Sequence, residues 1–304
     1  MKIFLLVIYV LLALGALFAI LGLAMGASMG IYWDSNGLHA GEPGSGDGSA
    51  NLLREMDLAP FSNVSLNMVN HDIEFVPADH YGFELLNNNN KNTEVAWSLQ
   101  NGRLTITEKS RYSFGVNLNF GKFKSGSYLK VYVPAQAIIN DISVKSISGK
   151  ISLSGFSCAA LSIDTVSGRT DLADITTGML VFDGISGRLS MHNIQTDSTR
   201  INVVSGSVVI SNHKSGGLSL SSISGRVDVS GELKGNITIN STSGEVRLNV
   251  IGRSEQYSKQ FNLLSGHLRI NGQTMSRNYS ERIDAPNSLK VDTISGGVTV
   301  DFVN

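Results

Sequence analysis

The side chains of this chain that could do chemistry recur at one interval. Ser148, Ser167, Ser186, Ser205, Ser224 and Ser243 stand 19 residues apart, and each precedes a glycine: Gly149, Gly168, Gly187, Gly206, Gly225 and Gly244. Directly after the glycine come Lys150, Arg169, Arg188 and Arg226, with Ser207 and Glu245 interrupting the series. Asp164 and Asp183 share a further column. Serines can be nucleophiles, and a row of cations can hold an anionic polymer or a lipid headgroup. Two carboxylates about 5 Å apart have the spacing that a retaining glycosidase uses.

Each reading has a plainer competitor. Ser265-Gly266 and Ser295-Gly296 bring the repeated phrase to eight copies, and no His-Asp partner recurs with them. Eight equivalent serines point to a structural corner. Asp171 and Asp228 follow Arg169 and Arg226 by two residues, and Asp164 and Asp183 lie across the same corner, so local charge pairing competes with ligand binding. The columns beside Asp164 and Asp183 carry no aromatic sugar platform, which weighs against a polysaccharide-cleaving enzyme. The six histidines show neither ligand spacing nor a calcium repeat. The sequence predicts no catalytic, cofactor or metal site. It offers one candidate, an anionic-ligand stripe at Lys150, Arg169, Arg188 and Arg226.

The elements that position these residues follow from the same period. In each block the second and fourth positions are apolar, as at Ile142 and Val144, Leu161 and Ile163, Leu180 and Phe182, or Leu218 and Leu220. Thr199 is the polar member of its column. Alternation resumes after Ser-Gly, at Ile151 and Leu153 or Val208 and Ile210. Two short strands with one buried face, joined where a glycine can take positive φ, make one coil of a β-solenoid. Ordering 19 backbones costs roughly 19 to 38 kcal/mol, while burying six apolar side chains returns about 9 to 18, so coils must stack to fold. None of the five prolines falls between residues 135 and 285, where each would remove a ladder hydrogen bond.

Composition narrows the function classes. Charged residues are 16% of the chain and the formal net charge is −1, which argues against a nucleic-acid partner. The single cysteine, Cys158, excludes an internal disulfide and lies too far from the N-terminus to carry a membrane lipid. From Ile3 to Ile31 there is no charge. As a helix that stretch measures about 44 Å, longer than the hydrocarbon core and than a signal-peptide apolar region. Residues 1–33 are read as a transmembrane anchor. Lys2 before the span and Tyr32 and Trp33 after it place the N-terminus in the cytoplasm and the rest outside.

Residues 34–50 read as a Gly/Ser-rich linker whose His39, Glu42 and Asp47 cannot be preorganised for a metal. Residues 51–140 read as irregular early coils or a β cap, and residues 141–304 as the regular solenoid. In the last region the longer steps to Ser265-Gly266 and Ser295-Gly296 predict loops near Gly252 to Gln260 and Gly272 to Asn287. Val291 to Phe302 is expected to form the final coil, with Asp301 and Asn304 as a partial cap. Tyr112, Phe114, Val116, Leu118 and Phe120 alternate along a further strand, a buried cap strand or an exposed basic-aromatic edge.

The chain resembles the bacterial "putative adhesin" β-strand-repeat family, which includes LiaG-like envelope proteins. The resemblance rests on the N-terminal span, Asn70 to Pro77, Asn101 to Ile106, Leu129 to Pro134 and the Ser-Gly coils. It implies a membrane-attached, extracytoplasmic, non-enzymatic protein. The expectation is an all-β, single-stranded solenoid of 19-residue coils behind one transmembrane helix. It would act as a non-catalytic binding, adhesion or scaffold module of the cell envelope, its partner an envelope polymer or a membrane protein. Regulation of envelope-stress signalling through a membrane protein partner is the alternative, and a polysaccharide-active enzyme the third.

Overall fold

A computed structural model describes residues 31–34, 37–40, 51–87, 93–110 and 126–303. The apolar stretch through residue 30, the aromatic strand at residues 111–124 and Asn304 lie outside the described residues. Ile31–Asp34, at the boundary of the expected anchor and linker, pairs antiparallel with Gly37–Ala40. Among the described residues no helix is long and apolar enough to cross a membrane.

The remainder is all-β. Parallel strands pair residue i with residue i+19, so Leu161 lies beside Leu180 and Leu180 beside Thr199. The alternating columns therefore become continuous rows inside the solenoid. Ile142, Leu161, Leu180, Thr199, Leu218 and Ile237 are all buried.

Each coil has further corners beyond the one that Ser-Gly announces. At the Ser-Gly corner the glycine φ lies between 115° and 141° from Gly149 to Gly244. A Cβ added to Gly206 would sit 2.0 Å from the Gly187 carbonyl oxygen, so the coils approach too closely for any other residue. The second corner carries Gly155, Asp174, Asn193 and Asn212, at φ 74°, 52°, 53° and 51°. Asn and Asp tolerate this left-handed conformation. Here they also bond along the stack, Asn212 Nδ2 donating to Asn193 Oδ1 at 3.1 Å.

The ends correct the expected order of coils. The segment 287–303 is last in sequence but not in space. Asn287–Ser295 lies between Asn236–Ser243 and Tyr257–Ser265, and Val298–Val303 lies between Val246–Ile251 and Leu268–Ile270. The glycine column records the same order, because the Cβ site of Gly296 abuts the Gly244 carbonyl and that of Gly266 abuts the Gly296 carbonyl. The long steps in the phrase supply the chain needed to pass outward and return. Much of their length is structured. Ser254–Gln256 forms a 3₁₀ turn, and Gln273–Met275 and Asn278–Glu281 add antiparallel strands.

The N-terminal end has the mirrored arrangement. Asn63–Met68 lies between Arg103–Ser110 and Ile139–Ser146, with Thr93–Gln100 antiparallel at the outside.

Candidate binding groove

The most extensive site follows from the strand that leads into each Ser-Gly corner. Its inward residues fill the core, so the intervening ones face out. One outward column reads Lys145, Asp164, Asp183, Asn202, Ser221, Asn240, Asp292, Asn262 in spatial order. Two residues further on, at the edge of the corner, stand Ile147, Val166, Ile185, Val204, Ile223, Thr242, Ile294 and Leu264. None of these is buried, and Leu264 is 74% exposed. The aliphatic member of each phrase is thus an outward residue rather than a core residue.

Between the two columns the corner is concave. A cavity of about 1160 Å³ runs along it, walled by the polar column on one side and by Val204, Ile223, Ile294 and Leu264 on the other. Gly184, Val203, Ser222, Ser241 and Thr293 line it between those walls. Lys145 stands at one end, and Arg277 and Asn278, where the antiparallel strand Asn278–Glu281 begins, at the other. Because 287–303 is threaded back beside 236–251, both walls continue across the change in chain order.

The polar wall is a ladder of neighbouring hydrogen bonds and ion pairs. Lys145 Nζ lies 3.2 Å from Asp164, and Asn202 Nδ2 donates to Asp183 at 2.7 Å. Asn262 donates to Asp292 at 2.6 Å, and Lys290 lies 3.1 Å from the same carboxylate. Asp164 and Asp183 are therefore adjacent, as their shared column requires, but each is engaged by a different neighbour.

On the other side of the corner, Lys150, Arg169 and Arg188 occupy consecutive coils, and Arg226 follows after Ser207. The stripe divides in two. Asp171 accepts from Arg169 Nε at 2.8 Å and lies 3.6 Å from Lys150 Nζ. Among the described residues Arg188 and Arg226 make no ion pair.

Ser148, Ser167 and Ser186 are committed to the backbone. Ser167 Oγ donates to the Ile147 carbonyl at 3.1 Å and Ser186 Oγ to the Val166 carbonyl at 3.2 Å. Cys158 is buried against Thr177 Oγ1, and burial pushes its thiol pKa up, away from the reactive thiolate. Among the described residues no group of three His, Cys, Asp or Glu could hold a metal.

One buried polar cluster explains the odd member of its column. His213 occupies the core position that Ile194 holds one coil earlier; its Nδ1 donates to the Ile194 carbonyl at 2.9 Å and its Nε2 lies 3.1 Å from Thr199 Oγ1. Burial lowers the His213 pKa to about 4, so the ring is neutral and structural.

Residues 61–301 match the Toastrack DUF4097 family. The chain belongs to that family. The Toastrack match spans the solenoid from Phe61, at the start of its first coil, and takes in the whole groove. No curated protein matches the sequence. Solved structures similar to this Toastrack chain include a "putative adhesin" from Bacteroides fragilis, at 12% identity and TM-score 0.49, covering 84% of this chain and 99% of that one. A "putative adhesin" from Parabacteroides distasonis is 13% identical with TM-score 0.44, covering 85% and 98%. A "putative lipid binding protein" from the same species is 10% identical with TM-score 0.44, with the same coverage.

Apart from Asp164 and Asp183, singled out only as a carboxylate pair, both walls of the groove escaped sequence reading of function, although the signal was present. The aliphatic residue before Ser-Gly lies out of phase with the core columns, and Asn202, Asn240, Asp292 and Asn262 align only once coils are stacked in their true order.

Proposed function

We propose that this protein is a non-catalytic binding module of the cell envelope, held to the membrane by its N-terminal apolar stretch with the solenoid outside. The ligand lies in the groove along the Ser-Gly corner. The observation that carries this reading is the long cavity itself, between a repeated aliphatic wall and a repeated amide and carboxylate wall. Ligand sites are concave and largely apolar with a few convergent polar groups, and this groove has that composition over many coils.

The test is retention of the full-length protein, in mild detergent, on purified envelope fractions. Val204→Glu with Ile223→Glu places charge on the aliphatic wall at outward positions that the core does not use. Retention is expected to fall about tenfold. Unchanged retention would remove the groove from the binding site.

A second reading is favoured by Arg188 and Arg226, whose guanidinium groups have no ion-pair partner among the described residues. It makes the basic column a contact for an anionic polymer or lipid headgroup. Screening over about 10 Å at 0.1 M salt would weaken that contact strongly and the groove contact little. Arg188→Glu with Arg226→Glu is expected to abolish only the salt-sensitive part.

A further inference from the structure

We infer that the groove takes an uncharged, extended polysaccharide chain lying parallel to the solenoid axis, with about one sugar ring to each coil. This rests on the groove being the binding site, and it names the ligand class from the groove's period, charge and chemistry.

The period comes first. The same two outward positions recur at the strand spacing, about 4.8 Å, so a ligand that uses the wall repeatedly must repeat at that interval. A pyranose ring in an extended β-linked glycan advances by about this distance. An extended peptide advances about 3.3 to 3.6 Å per residue, and neither one residue nor two falls into step with the coils.

Charge comes second. Asp164, Asp183 and Asp292 lie along the polar wall, so a polyanion would run beside three carboxylates. Lys145 and Lys290 answer two of them, and Asn202 donates to the third, so the wall presents no strong field to a polycation either. The middle of the groove, Asn202, Ser221 and Asn240, is uncharged over three adjacent coils.

Chemistry comes third. Amide and hydroxyl groups both give and accept hydrogen bonds and carboxylates accept them, which suits the paired hydroxyls of a sugar. The C–H face of the ring can rest on Val204, Ile223 and Ile294. A bare acyl chain would satisfy that wall but would dehydrate the amide ladder without returning hydrogen bonds, at about 1–3 kcal/mol for each group left unpaired. An aliphatic wall grips each ring weakly, so affinity must accumulate along the chain.

That accumulation is the readout. Titration calorimetry on the full-length protein in a sugar-free detergent would compare β-1,4-linked glucose and N-acetylglucosamine hexasaccharides with their disaccharides. At least one hexasaccharide is expected to bind about tenfold or more tighter than its disaccharide. The Val204→Glu, Ile223→Glu protein is expected to lose that gain, while Val209→Glu, on an exposed position of another side, keeps it. Circular dichroism melting confirms that both variants fold. Equal affinity for hexasaccharide and disaccharide, or no binding of either hexasaccharide, would overturn the inference, as would binding that the groove variant leaves intact. If the oligosaccharides fail but envelope retention still depends on Val204 and Ile223, the groove stands and the glycan falls. If retention ignores the groove as well, both fall.

Discussion

The middle of the solenoid and its two ends solve the same stacking problem differently. Between Ile139 and Ile251 each coil lies on the one before it in sequence, and from Gly168 to Gly244 the contact at each Ser-Gly corner is glycine backbone on glycine backbone. At both ends the chain passes outward, forms the outermost coil, and leaves its terminal coil one layer in. Those outer coils are fastened by side chains. Lys259 Nζ donates to Glu281 and Ser254 at 2.8 Å each, and Tyr128 donates to Glu84 at 2.6 Å while Arg54 pairs with the same carboxylate. The glycine contacts run on through Gly296 and Gly266 at the C-terminal end, so the middle is specified by what cannot fit and the ends add what must pair. Antiparallel strands at each end also cover edges that would otherwise recruit other chains.

If close backbone approach governs the middle, Gly206→Ala should be the most damaging small substitution. Its Cβ would fall 2.0 Å from a carbonyl oxygen at φ 141°, with backbone on the neighbouring coil unable to yield. A loss of more than about 4 kcal/mol is expected, read as absence of folded protein or a collapsed denaturant midpoint. A midpoint close to the parent's would show that the stack can open at that corner.

The middle should also be the pH-sensitive part. The unfolded His213 titrates near 6.5 and the folded one near 4. Between those values the unfolded chain binds the extra proton, so this contribution is complete above about pH 6.5 and declines as pH falls toward 4. The difference is about 3 kcal/mol between pH 7 and pH 4. Denaturant melts of the parent and His213→Asn at both values isolate it, because other groups titrate in both proteins. Parallel pH slopes would contradict a neutral buried ring.

These two tests bear on residues that sequence alone treated unequally. Gly206 was legible, since an invariant step of 19 with glycine at each corner leaves little other architecture. His213 and Thr199 were legible only as irregularities. They stand 14 residues apart, and nothing in a linear period says that two polar departures meet in one core. The second corner was hidden because Asp174, Asn193 and Asn212 are ordinary polar residues until their positive φ is known. The coil order at the C-terminus was hidden for a different reason. The step from Ser265-Gly266 to Ser295-Gly296 shows that chain has been inserted, but not on which side of the outer coil it returns. The groove suffered from both, because its residues are outward, chemically mixed and out of sequence order at one end.

At the ends, a smaller loss is expected from Lys259→Met. The Lys259 side chain is 3% exposed, while that of Glu281 is 39% exposed and can be solvated when its partner goes. The methionine keeps apolar contact where the lysine lay over Phe302. About 2 kcal/mol should be lost, with faster amide exchange at Asn278–Glu281 and little change at Asp141–Ser224. Exchange that rises equally throughout would mean that the end and the middle open as one unit.

The smallest effect belongs to Gly272→Ala, and it completes the pairing with Gly206. Gly272 turns the end hairpin at φ 75°, and a Cβ there meets nothing within 4 Å. Only the backbone preference is at stake, about 1 kcal/mol, partly offset because alanine restricts the unfolded chain. The same chemical change is therefore expected to abolish folding at one glycine and to shift the midpoint slightly at the other. Glycines in this chain serve two ends, close packing between coils and left-handed turning within one, and only the first cannot yield. A Gly272→Ala loss as large as that at Gly206 would make turning itself the costly step, and the glycine contacts of the middle would then need another explanation.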